Sequence, residues 1–147
     1  MKKLTDKKKQ QDILINLISE GIDSMHVSDN SKKSILIRGC DPEMGRRAIK
    51  LMNSILGQPE MVSVTNDDDL IKELKRKKWT VVHFAPGACR YDESNLPIPG
   101  GRVLTDGWGL REYSELVRKH QGQDIKIIKT TDESQIIPLL KQALKPT

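Results

Sequence analysis

Aromatic side chains are nearly missing from this sequence: two Trp, two Tyr and one Phe make up 3% of its 147 residues. So sparse a set is a poor basis for a surface on which successive bases stack, which argues against that mode of nucleic-acid binding. Cysteine is scarce as well, with only Cys40 and Cys89. Two thiols build no disulfide framework, and His26, His83 and His120 show none of the short ligand spacings of a zinc site. No metal and no cofactor is expected. No apolar run approaches the roughly 20 residues that span a bilayer, and the opening MKKLTDKKKQQ lacks the apolar segment of a secretory leader. The expectation is a soluble, cytoplasmic protein with no membrane partner.

Charge is what the sequence has in quantity. Lys and Arg number 25 against 20 Asp and Glu, a net charge of +5. Much of the excess lies in Lys2, Lys3, Lys7, Lys8 and Lys9 and in the run Lys75, Arg76, Lys77, Lys78. Such runs attract phosphate without reading sequence, so any nucleic-acid binding is expected to be weak, non-specific and screened by salt.

Periodicity divides the chain in two. In residues 1–33, Ile13, Leu14, Leu17 and Ile18 recur at helical spacing over residues 6–20, and a polar, turn-rich linker follows. Residues 34–147 alternate short apolar runs with amphipathic stretches. Strands are predicted at 34–39, 60–64, 80–84 and 125–129, with a short further one at 102–105. Helices are predicted from Pro42 to Leu56, from Asn66 to Lys77, from Gly109 to His120 and from Glu133 to Leu144. Asp41 before Pro42 is a helix-start signature, an acidic cap followed by proline at the first helical position. Residues 85–101 read as an irregular Pro- and Gly-rich loop, with a turn at Asp106-Gly107. Strands separated by helices imply an α/β fold, a three-layer sandwich with a mostly parallel central sheet. Leu36, Val81, Val82 and Ile127 are expected in its buried central strands.

Ligands of such sheets bind beyond the carboxyl ends of the strands, and the loops there carry few recognisable motifs. RGCDPEMGRR, residues 38–47, supplies only two of the three glycines of a dinucleotide fingerprint, and no Walker A sequence occurs. A receiver-type site needs an aspartate after the third strand, where this chain has His83. His83 and Cys89 are candidates for an activated thiol, if the imidazole reaches the sulfur. The plainer alternative makes His83 a core residue and Cys89 an ordinary loop thiol. Arg38, Gly39, Arg46 and Arg47, around the helix start at Pro42, are candidates for an anion or nucleotide phosphate. The acids Asp41, Glu43, Asp67, Asp68 and Asp69 suit helix N-termini on dipole grounds alone.

Four blocks between Pro42 and Ser134 carry a resemblance: VVHFAPGA at Val81–Ala88, YDESN at Tyr91–Asn95, VLTDGWGLREYSEL at Val103–Leu116 and IIKTTDES at Ile127–Ser134. In order and spacing they resemble the first half of the caspase-like peptidase family known as CHAT. The resemblance implies a caspase-like or flavodoxin-like topology. It also implies loss of the catalytic dyad, because the family's histidine falls at Gly87 and its cysteine at Asp132. On the same comparison the second half of the family's domain is largely absent. The leading expectation is a non-catalytic, pseudo-peptidase-like module with a protein partner, self-association through an open sheet edge included. The alternatives are a small cysteine hydrolase using His83 and Cys89, and a domain for a nucleotide or other small anion.

Overall fold

A computed structural model describes residues 28–85, 108–130 and 132–146. The strands are β1 (Ser34–Arg38), β2 (Glu60–Val64), β3 (Val81–Phe84) and β4 (Lys126–Lys129). The helices are α1 (Pro42–Met52), α2 (Asp67–Arg76), α3 (Leu110–Gln121) and α4 (Ile136–Leu144), the last preceded by a 3-10 turn, Glu133–Gln135. The strands form one sheet in the order β2-β1-β3-β4, every pair parallel. The amphipathic segment at 6–20, Cys89, the loop beyond residue 85 and the strand at 102–105 lie outside the described residues.

Parallel neighbours need crossover helices, and these cover both faces of the sheet. The alternation of side chains along β1 and β3 sorts the core in two. Leu36, Val82 and Phe84 pack with Leu70 and Leu74 of α2 and Tyr113 and Val117 of α3. Ile35, Ile37 and Val81 pack with Met52 at the end of α1 and with Leu140, Ala143 and Leu144 of α4. The three-layer α/β architecture read from the sequence is therefore the observed one. Leu36, Val81 and Val82 are fully buried, but Ile127 is only half-buried because β4 lies at the edge of the sheet.

Helix starts follow local chemistry. The carboxylate of Asp41 accepts the Glu43 amide at 2.9 Å, and Asn66 Oδ1 accepts that of Asp69 at 2.7 Å. The end of α1 departs from expectation, since the helix stops at Met52 rather than Leu56. From Asn53 onward the chain tightens into turns: Asn53 Nδ2 donates to Pro59 O at 2.8 Å, and Gln58 N to Asn53 O at 2.8 Å. Gly57 makes this possible at φ +86°, where an added Cβ would lie 1.9 Å from Ser28 O. Residues 28–33 are also tied to the body, Asn30 donating its amide to Gly57 O and its side chain to Leu56 O.

Candidate functional site

In the order β2-β1-β3-β4, the connections from β1 and from β3 leave in opposite directions. The crevice beyond the carboxyl ends of these two strands is where open α/β sheets hold ligands. The residues there are Arg38 and Gly39 on one strand and His83, Phe84 and Ala85 on the other. Ala85 N donates to Arg38 O at 3.0 Å, which closes the backbone between them.

Arg38 ends β1 on the α2/α3 face, and its side chain is fully buried. Its Nε and Nη2 donate to Asp67 Oδ1 at 3.2 and 3.0 Å, and Nη1 donates to Gly39 O. Asp67, at the first turn of α2, is equally buried and also accepts the Tyr113 hydroxyl at 2.8 Å. This network joins a strand end and two helices. A buried ion pair survives desolvation only when both charges are so satisfied. Asp67 thus has a structural task beyond the dipole role read for it from sequence. The available signal was position: Arg38 falls on the same side of the strand as Leu36.

Arg46 and Arg47 lie across the sheet on the outer surface of α1, 70% and 75% exposed. Both face Glu43 of their own helix, at 2.5 and 3.7 Å. The structure therefore does not bring them together with Arg38. The helix N-terminus between them is already served by the carboxylate of Asp41, which stands where a bound anion would. A Cβ added at Gly39 would lie 4.0 Å from that of Ala85, and Cys40 beside it is half-buried.

His83 sits on the α1/α4 face, in register between Ile37 of β1 and Ile128 of β4, and is 2% exposed. Burial pushes its pKa down to about 4, so the imidazole is neutral at neutral pH. Its Nδ1 has no partner among the described residues. Asp132, where the resemblance placed a cysteine, is exposed and accepts Ser134 N at 3.0 Å and Ser134 Oγ at 2.7 Å, starting the 3-10 turn. Among the described residues no group of three or more His, Cys, Asp and Glu is placed to hold a metal ion. No helix there is long and apolar enough to cross a membrane.

A second feature was not assigned from sequence. Beside β4 and α4 lies an open groove of about 510 Å³, lined by Lys126, Ile127, Ile128, Leu139, Gln142, Ala143, Lys145 and Pro146. Lys126 Nζ donates to Ala143 O at 2.8 Å and Lys145 O at 3.0 Å, turning its charge along the end of α4. Among the described residues no strand pairs with the outer side of β4. Comparison with protein-family models, with curated proteins and with solved structures finds no match to this chain.

Proposed function

We propose that this chain is a non-catalytic α/β interaction module, which binds a partner protein as an added strand along β4. The observation that carries the reading is the groove beside that strand. It joins a strand edge with which no described strand pairs to an apolar lining of Ile128, Leu139 and Ala143, the combination that strand addition uses for affinity and for selectivity. Two lysines, Lys126 and Lys145, are among the lining residues, and Lys129 ends the strand. The occupant that fits is an extended segment with an apolar centre and acidic flanks.

Support also comes from the crevice at β1 and β3. Arg38 is locked to Asp67, Asp41 caps its own helix, and His83 is a neutral core side chain. Arg38 and Asp41 serve internal bonds, and His83 packs between Ile37 and Ile128. Lysine on a short edge strand is also a device against promiscuous pairing, which favours a charge-matched partner over any free strand.

Peptide selection against the intact chain tests this. The selected sequences should carry β-branched or aromatic centres between acids. Leu139→Asp, at a position already 36% exposed, should weaken their binding at least tenfold while leaving the thermal midpoint unchanged. Peptides indifferent to Leu139→Asp would overturn the assignment. So would a sedimentation shift showing that a second copy of the chain fills the groove.

A further inference from the structure

The ends of α2 and α3 are fastened to each other. Gln121 Nε2 donates to Leu74 O at 2.8 Å and Lys77 O at 3.0 Å, and its Oε1 accepts Trp79 N at 2.7 Å. Lys78 Nζ crosses to His120 O at 2.7 Å. Two basic segments far apart in sequence, Lys75–Lys78 and Arg118–His120, thereby become one surface on a rigid frame.

The cations within it divide by partner. Arg76 lies 2.7 Å from Glu73 and 3.5 Å from Glu60, and Lys77 3.2 Å from Glu60. Both also stand over the Trp79 ring, at 5.4 and 4.9 Å from its centroid. Lys75, Lys78 and Lys119 are exposed and belong to no ion pair among the described residues. The imidazole of His120 registers the cluster. Partial burial first, then Lys75, Lys119 and Lys78, hold its pKa below the usual histidine value, and no carboxylate acts against them. The helix dipole accounts for a cation or two in each last turn. It does not account for lysines from both helix ends meeting around one imidazole.

We propose that Lys75, Lys78 and Lys119, gathered around His120, form an ionic surface that takes the phosphate backbone of a nucleic-acid duplex without reading its bases. The composition of the surface selects this ligand class. The large apolar side chains exposed among the described residues, Met44, Leu51 and Leu139, all belong to α1 and α4 on the other side of the sheet. Among the described residues the lysine surface therefore has no large exposed apolar side chain, of the kind that protein interfaces and membrane-inserting helices use. Trp79 is 5% exposed, so no indole is offered to a base. Exposed ammonium groups on a net-basic chain suit a row of phosphates held by charge alone.

The test is fluorescence anisotropy with labelled duplexes of about twenty base pairs, titrated between about 50 and 200 mM salt. Two unrelated sequences should bind alike. The slope of log affinity against log salt falls by about 0.9 for every phosphate that the protein ceases to neutralise, so Lys75→Gln/Lys78→Gln/Lys119→Gln should reduce it by about 2–3. Lys32→Gln/Lys50→Gln/Lys141→Gln removes the same charge elsewhere and should change the slope by less than about one. Equal reductions in the two variants would show that net charge alone is at work and would overturn the proposal. Wild-type binding by the first variant would do the same. Polyglutamate or phosphatidylserine vesicles bound through these lysines, with duplex unbound, would move the surface to another ligand class and overturn it as well.

Discussion

Arg38 and Asp67 face each other at 3.0 Å with no solvent exposure on either side chain, one closing a strand and the other opening a helix 29 residues later. Tyr113 of α3 completes the arrangement through its hydroxyl. A strand end and both helices of the α2/α3 layer therefore meet on one carboxylate, at the end of the sheet where α/β proteins ordinarily hold ligands. The Tyr113 ring stands edge-on to Phe84 and Trp108, at 5.9 and 5.2 Å between centroids. Most of the chain's few aromatic residues are thus gathered beside the ion pair.

The pair gives the first prediction. Removing one buried partner leaves an uncompensated charge, so Asp67→Ala should cost about 3–5 kcal/mol in chemical denaturation. Arg38→Met/Asp67→Leu, which removes both charges, should cost clearly less than Asp67→Ala. A double variant as unstable as the single would show that Asp67 acts through Tyr113 rather than through the charge pair.

Gly45 of α1 lies directly over Ser63 of β2. A Cβ at Gly45 would meet Ser63 Oγ at 2.2 Å and Ser63 Cβ at 3.0 Å. Gly45→Ala should therefore destabilise by about 1–3 kcal/mol despite the better helix propensity of alanine. Gly45→Ala/Ser63→Gly should recover most of that stability. Ser63 Oγ is itself buried without a hydrogen-bond partner among the described residues, so Ser63→Ala alone should be neutral or stabilising. Thermal unfolding of the three variants checks the set, and a stable Gly45→Ala single would refute the close approach.

What was legible in the sequence follows from the range of the signals. Short apolar runs, Asp41 before Pro42 and Asn66 before three acids are local, and the elements they mark are present among the described residues. Pairing order is not local, so Ile127 read as central although β4 is an edge. The helix from Pro42 ends early because Asn53 bonds to Pro59, an interaction that periodicity does not encode. At the crevice, His83 was legible as a core residue because it shares a face with Val81 on a short apolar strand. The buried role of Arg38 was not, because a guanidinium reads as a ligand group until its partner is found 29 residues away. The groove beside β4 and the joining of α2 to α3 depend on tertiary placement and left no motif.

Leu36 and Ile127 separate the centre of the sheet from its edge. Leu36 is fully buried on β1, with neighbours on both sides, whereas Ile127 is half-buried on β4. Leu36→Ala should cost about 2–5 kcal/mol in chemical denaturation, and Ile127→Ala should fall clearly below it. Equal costs would mean that β4 is covered by something beyond the described residues.

His83 gives the prediction that reaches chemistry. Its pKa is about 4 in the folded chain against an ordinary 6.5, and burial is the cause. The unfolded chain therefore binds a proton at a pH where the folded chain does not. The sign follows: the neutral imidazole carries no penalty above about pH 6.5, and stability falls as pH drops from there towards 4. The full effect is on the order of 3 kcal/mol. Carboxylates contribute their own acid dependence, so the quantity to measure is the difference between wild type and His83→Leu across this window. That difference should move steadily in favour of the leucine variant as pH falls, and be flat above about pH 7. A difference that is flat throughout would mean that His83 keeps access to a proton in the folded state. It would then behave as a group open to the crevice, which is the condition that a catalytic reading of His83 requires.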